Sequence, residues 1–200
     1  MPSFKKLIKT LPVIKVEDEI LQPGDIFVCR SDSLLAPMVE FIQHLRSNDH
    51  IGRFGHAGII VNSTISFEAG WIIEEVDFFK HHNGQLVIIG RHDCMNQKTF
   101  DKNYQIIKEK YNGKRYPFYR LIFQISQAAT NWLNDDSGVC SEIVADFCEK
   151  CEFWDWHKGA TPDHLTDWIC DPWQFSIQPV FMGWVNKNPY DKKRKRKKKK

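Results

Sequence analysis

The feature that most constrains the fold is a series of short apolar segments between residues 20 and 91, separated by turn signals. A turn is predicted at residues 22–25, because proline fixes φ and glycine accepts a positive φ. Short apolar runs bounded by turn residues are typical of strands. Strands are therefore predicted at 26–29, 56–61, 64–69, 71–76 and 85–91.

The other apolar segments have a different period. Apolar residues at helical spacing predict helices at 33–46, 99–111, 118–133 and 141–150. Thr161 and Pro162 predict the start of another short helix, and the Trp/Phe-rich stretch 171–185 is predicted to return as a strand. Strand, helix, several strands and then helices indicate the α+β class, with helices segregated from an antiparallel sheet.

The charge is distributed unevenly along the chain. The net charge is +3 over 200 residues, although residues 192–200 are all Lys or Arg and carry +9, so residues 1–191 carry −6. The length suits one domain. We expect an irregular lead-in at 1–19, a folded domain at 20–190 and a disordered polybasic tail at 191–200. The tail suits contact with nucleic acid, attraction to an anionic membrane surface or a targeting signal, and a charge run without a specific partner stays open.

The lengths of the apolar segments and the number of cysteines indicate the cellular compartment. No run approaches the ~18 apolar residues of a membrane-spanning helix, and proline and charge interrupt the N-terminal apolar stretch, so no signal peptide is predicted. We therefore expect a cytoplasmic protein, or one exported by another route. In that setting the six cysteines are expected to be reduced, and most of them to be small buried hydrophobes.

Two stretches suggest chemistry. His56 begins an apolar strand between small residues, and Cys140 lies at the first turn of a predicted helix. A helix N-terminus favours thiolate over thiol and offers N–H groups to an oxyanion. A Cys–His pair is the minimum for thiol acyl transfer. Glu68 follows His56 by twelve residues across a tight turn, so a hairpin can bring it beside the imidazole as the third, orienting group.

Each of these residues also has an ordinary structural interpretation. His56 suits a partly buried histidine bonded to a backbone carbonyl, Cys140 a buried thiol under its helix, and Glu68 a solvent-facing carboxylate. A zinc site could be drawn from Cys148, Cys151 and later cysteine and histidine residues, but no second Cys-x2-Cys pair follows at the required spacing. We predict no metal and no cofactor. The neighbouring His81 and His82 are expected to form an exposed pair in a loop.

Five segments together resemble a known family. Gln-Pro-Gly-Asp-Ile (22–26), Gly-His-Ala-Gly-Ile (55–59), Phe-Glu-Ala (67–69), Val-Cys-Ser-Glu-Ile-Val-Ala (139–145) and Thr-Pro-Asp-His-Leu (161–165) resemble the permuted papain-like amidases, the YiiX/YaeF-like branch of the NlpC/P60 superfamily, to which lecithin–retinol acyltransferase is related. The histidine precedes the cysteine in this branch, as it does here. The resemblance covers roughly residues 20–170.

The resemblance implies a circularly permuted papain-like fold and residue roles. Cys140 matches the nucleophile, His56 the base and Glu68 the third polar residue, while Tyr116 lies where the family often has a tyrosine near the substrate. Asp25 matches a turn that we interpret as structural. The implied activity is cysteine-dependent cleavage of an amide bond in a peptide or a peptidoglycan-type substrate. Lipid ester hydrolysis or acyl transfer, and a non-catalytic binding module tethered by its tail, remain the alternatives.

Overall fold

The computed structural model describes residues 8–30, 54–115, 140–153, 165, 169 and 177–191. Over these residues it forms a seven-stranded sheet with helices, which confirms the α+β class. Two 3-10 helices, Ile8–Thr10 and Val16–Asp18, flank the first strand. The elements are β1 (Val13–Ile14), β2 (Ile26–Cys29), β3 (His56–Ile60), β4 (Ile65–Ala69), β5 (Ile73–Asp77), α1 (Phe78–His81), β6 (Leu86–His92), α2 (Gln97–Tyr111), α3 (Cys140–Lys150) and β7 (Ile177–Val185).

The strands lie in the order β1-β7-β6-β2-β3-β4-β5. Every pairing is antiparallel except that of β1 with β7, which is parallel. The range expected to be an irregular lead-in thus contributes an edge strand. At the same end of the sheet, the indole N–H of Trp184 donates to the carbonyl of Ile8 at 2.8 Å, and the amide of Asn188 donates to the carbonyl of Lys9 at 3.1 Å.

The sheet is buried on both faces because its strands alternate between two apolar clusters. On β2, Ile26 and Val28 belong to the cluster that packs against α2 and α3. Phe27 and Cys29 belong to the opposite cluster, with Phe78 and Phe79 of α1. Successive strand side chains point to opposite faces, so β3 and β4 also direct one set of residues toward α3 and the other toward α1.

Helix α3 packs against β3, β4 and α2. A buried carboxylate fixes the two helices together: Asp146 of α3 accepts from Lys110 Nζ at 2.8 Å and from the Tyr111 hydroxyl at 2.9 Å. Since Cys140 is the first residue of α3, this contact helps to set the position of that thiol relative to the sheet.

The turn before β2 is closed by an ion pair. The guanidinium of Arg91 contacts both carboxylate oxygens of Asp25, at 2.7 Å and 2.8 Å, and donates to the carbonyl of Ile20 at 2.7 Å. The backbone N–H of Gln22 donates to Asp25 Oδ2 at 2.9 Å. These contacts are consistent with a structural role for Asp25.

The boundaries of the predicted elements are close to the observed ones within the described ranges. Strand β2 coincides with the prediction, and β3 to β6 differ from it by one or two residues. The short helix α1 was not predicted. The predicted helices at 33–46 and 118–133 lie outside the described residues, and of the short helix predicted from Thr161 the structure describes Leu165, which is helical. In the part of the chain that the structure describes, no helix has the length and apolarity to cross a bilayer.

Candidate active site

The β3–β4 hairpin brings Glu68 to His56. Asn62 forms the turn, where its side-chain oxygen accepts from the backbone N–H groups of Thr64 and Ile65, each at 2.9 Å. The turn sets a register that pairs Gly58 with Glu68, which leaves His56 diagonally across from the carboxylate on the same face. His56 Nε2 lies 2.6 Å from Glu68 Oε2, a short charge-assisted hydrogen bond.

Gly58 makes room for this arrangement. A Cβ at this position would lie 2.6 Å from Cε1 of Phe27, so a larger residue would displace that ring. The Phe27 ring lies beside both His56 and His82, with its centroid 6.3 Å from the ring of His56 and 5.0 Å from the ring of His82. The glycine therefore permits an apolar wall beside the imidazoles.

Cys140 also meets His56. Its side chain helps to raise the pKa of the imidazole, and α3, which begins at Cys140, packs against β3, which begins at His56. Cys140 is buried, with 6% of its surface exposed, at the first residue of an eleven-residue helix. The first turn of a helix has backbone N–H groups without intrahelical acceptors. The three residues predicted from the sequence thus lie near one another: Glu68 is hydrogen-bonded to His56, and Cys140 and Glu68 both raise the pKa of His56.

Glu68 is a buried carboxylate with three donors. Its side chain is 1% exposed, and it accepts from His56 at Oε2. At Oε1 it accepts from the Ser66 hydroxyl at 2.5 Å and from His82 Nε2 at 3.1 Å. Burial alone would raise the pKa of Glu68, but the charge of His82 and the histidine hydrogen bonds hold it well below its usual range. Glu68 is therefore ionised near neutral pH.

The contact with Glu68 also changes the pKa of His56. Burial alone would lower the pKa of its imidazole, but the hydrogen bonds with Cys140 and Glu68, together with the Glu68 charge, raise that pKa well above its ordinary value. The His56 side chain is 14% exposed, compared with 1% for Glu68. Of these two side chains it is the one that solvent reaches, so the imidazole can exchange protons while its carboxylate partner is shielded.

The expectation of an exposed His81–His82 pair was wrong for His82. His81 is exposed, but the His82 side chain is 1% exposed and contacts Glu68. The physical reason is the helix α1: His82 is its C-terminal cap, and its backbone N–H donates to the carbonyl of Phe78 at 2.9 Å. Four residues after a buried phenylalanine, the ring lies on the helix face that packs under the sheet.

His56, Glu68 and His82 are also residue types that bind zinc. Their donor atoms all lie within 4.8 Å of one another, and they form the metal-capable group found within the described residues. The nitrogens that would face an ion are the ones that hydrogen-bond Glu68, at 2.6 Å and 3.1 Å. An ion would therefore replace both hydrogen bonds and would require the closer pair to move apart. Metal binding and the observed hydrogen-bonded chain are alternatives at the same side chains.

Several residues named from the sequence lie outside this description. Tyr116 and the basic run 192–200 are not among the described residues, so their predicted roles are untested. Cys148 and Cys151 are buried, and the amide of Asn103 donates to Cys151 Sγ at 3.5 Å. His157, His164 and Cys170, which completed the zinc site considered above, lie in the undescribed part.

The similarity of this chain to known proteins is distant. No family model matches it, and no curated protein matches it. Among solved structures it is similar to the crystal structure of the metalloprotein yiiX from Escherichia coli O157:H7, with 21% sequence identity and a TM-score of 0.46. The match covers 65% of this chain and 66% of that one. At this level the circularly permuted papain-like fold stays a prediction.

Proposed function

We propose that this protein is a cysteine-dependent hydrolase that cleaves an amide bond, with Cys140 as nucleophile, His56 as base and Glu68 as the group that orients His56. The observation that supports this most directly is that His56, hydrogen-bonded to the buried Glu68, begins the strand against which the helix of Cys140 packs. The side chain of Cys140 helps to raise the pKa of this imidazole, as a thiol placed beside a catalytic histidine would.

The proposed reaction has two steps. The Cys140 thiolate attacks the carbonyl carbon, the C–N bond breaks, and protonated His56 gives its proton to the leaving amine. Water then attacks the thioester while His56 accepts one of the water's protons; the C–S bond breaks, which releases the carboxylic acid and restores the Cys140 thiolate and the protonated His56. The N–H groups of the first turn of α3 are suited to bind the oxyanion that forms in each step.

The proposal also specifies the type of bond that is cleaved. A peptide or peptidoglycan-type amide is favoured by the sequence resemblance, and a lipid ester, cleaved or transferred by the same thiol chemistry, is the alternative within the enzymes. The two are separated by assaying peptide amides and lipid esters with the wild type and with Cys140→Ser. A binding module would keep its function in Cys140→Ala and lose it when residues 192–200 are removed.

The first test is the alkylation of each cysteine by iodoacetamide as a function of pH, followed by peptide mass spectrometry. Cys94 is exposed and serves as the internal reference. We expect Cys140 to react faster than Cys94 at neutral pH, in spite of its burial. His56→Ala should abolish this advantage and leave Cys94 unchanged. Equal rates in the wild type, with no dependence on His56, would refute the proposal.

A second candidate function, metal-dependent chemistry at the His-Glu-His group, is favoured by the convergence of its three donor atoms within 4.8 Å. It predicts stoichiometric zinc in the purified protein and loss of activity in EDTA. The cysteine mechanism predicts activity without bound metal. Metal analysis of the same preparation that is used for alkylation therefore separates the two candidates.

A further inference from the structure

The carboxylate of Glu68 has a second buried histidine, which the three-residue mechanism does not use. His82 lies between α1 and β6, with its side chain 1% exposed. Its Nε2 lies 3.1 Å from Glu68 Oε1, while His56 occupies Oε2. The two histidines thus bind opposite oxygens of one carboxylate, and their ring centroids are 5.9 Å apart.

The other nitrogen of His82 also has partners. Its Nδ1 lies 2.8 Å from Oε1 of Gln85 and 3.5 Å from Sγ of Cys29. With an amide oxygen at Nδ1 and a carboxylate oxygen at Nε2, both nitrogens donate, and the ring is an imidazolium. Burial opposes this charge, but Glu68 and Cys29 outweigh it and raise the pKa of His82 to about 10. His82 is therefore held in place from both sides.

The division of donors between the two oxygens determines how the carboxylate is oriented. His82 and Ser66 hold Oε1, so rotation of the carboxylate about its last bond would break two hydrogen bonds in a buried site. Oε2 is then left directed at His56 Nε2. Because that contact holds one nitrogen of the His56 ring at 2.6 Å, whatever fixes Glu68 also fixes the orientation of the imidazole.

We propose that His82 is a positioning residue of this site, which binds one oxygen of Glu68 and thereby holds the other on His56. The proposal rests on the proposed function for its catalytic meaning. It extends the group to four residues, Cys140, His56, Glu68 and His82, in which His82 acts on His56 through Glu68.

The test compares His82→Leu with His82→Gln. Glutamine places an amide N–H close to the position of Nε2, whereas leucine fills space without a donor. Loss of a hydrogen bond to a charged group corresponds to a fall of about 10- to 100-fold, so we expect His82→Leu to slow the His56-dependent alkylation of Cys140 by that factor. His82→Gln should stay within about threefold of the wild type by the same reasoning. His81→Leu, at the exposed neighbour, is the matched control and should change nothing.

A second measurement reads the imidazole directly. In ¹⁵N-histidine NMR spectra we expect His56 of the wild type and of His82→Gln to be protonated at Nε2 and protected from exchange, and His82→Leu to lose this signature. All variants are measured under conditions where circular dichroism shows them folded. An unchanged His56 signal in His82→Leu refutes the positioning role, whether or not Cys140 is reactive.

The outcomes distinguish this inference from the proposed function. A wild type in which Cys140 reactivity ignores His56 removes the proposed function, and the NMR comparison still decides the role of His82. Reactivity that depends on His56 but is equal in His82→Leu and the wild type removes only the positioning role. Zinc that is bound by the wild type and lost in His82→Leu overturns the inference in favour of a metal site.

Discussion

Replacing Glu68 by glutamine is the most severe test of the buried hydrogen bonds that the Glu68 carboxylate accepts. The carboxylate accepts from three donors, His56, His82 and Ser66. A glutamine side chain keeps one accepting oxygen and presents an NH₂ group where the other oxygen was. At least one donor then faces another donor, and the His82 imidazolium loses its counter-charge in a site where the side chain is 1% exposed.

The magnitude follows from the burial of the pair. Removing one partner of a buried ion pair costs about 3–5 kcal/mol, because the remaining charge is desolvated and unpaired. With a urea dependence of about 2 kcal/mol per molar, the midpoint of unfolding should fall by roughly 1.5 to 2.5 M. Glu75→Gln is the matched control: its carboxylate accepts from Lys108 at 2.7 Å in a partly exposed pair, so about 1 kcal/mol or less is expected.

The difference between the wild type and Glu68→Gln should depend on pH. The pKa of Glu68 is held below its unfolded value of 4.5, so its stabilising effect is fully present above that pH and is lost as the pH falls through the folded-state pKa. Urea unfolding at pH 7 should show the whole difference, and successively lower pH values below 4.5 should narrow it. A free energy of unfolding within about 1 kcal/mol of the wild type at pH 7, equal to the effect of Glu75→Gln, would refute the description of Glu68 as a buried three-donor acceptor.

Three further predictions concern the same domain. The pKa of His82 is raised to about 10 from 6.5, so its contribution to the free energy of unfolding is complete below pH 6.5 and is lost as the pH rises through 10. Urea unfolding between pH 7 and 10 should show this loss in the wild type and not in His82→Leu. Added zinc should slow the alkylation of Cys140 by binding a ring nitrogen of His56, and EDTA alone should leave the alkylation rate unchanged. An alkylation rate that falls in EDTA contradicts the cysteine mechanism. Asp146→Asn should destabilise the protein by about 1 to 2 kcal/mol in urea, because it weakens the hydrogen bonds to a buried carboxylate, and the one from the partly exposed Lys110 is already screened by solvent. An unchanged midpoint of unfolding would show that the α2–α3 contact is dispensable.

The part of the site that could be predicted from the sequence is the part formed by local contacts. His56 and Glu68 are twelve residues apart on one hairpin, and the turn at Asn62 fixes a register in which every second residue shares a face. Apolar periodicity also located α3, so the position of Cys140 at a helix N-terminus followed from the sequence. That Cys140 meets His56 depends on how α3 packs against β3, which no local pattern specifies.

His82 shows why the rest was missed. Its neighbours Lys80, His81 and Asn83 are polar and exposed, which is typical of a loop, while its partner Glu68 is on a strand that is not adjacent in the chain. A signal was nevertheless present: Phe78 precedes His82 by four residues, the spacing that places two side chains on one face of a helix. The pairing of β1 with β7 was missed for a related reason, since it joins the two ends of the chain.

The pairing of β1 with β7 has a consequence for the order of Cys140 and His56 along the chain. Lys9, before β1, and Asn188, after β7, are hydrogen-bonded at 3.1 Å, and the turn at Gly113 is exposed, with no described atom within 4 Å of where a Cβ would lie. Chains tolerate new termini at exposed turns when the old termini lie close together. A gene that joined Lys9 to Asn188 through a linker and opened at Gly113 would encode Cys140 ahead of His56 while leaving β3 and α3 uninterrupted. The order in which a ribosome makes these two residues is thus independent of the packing of α3 against β3.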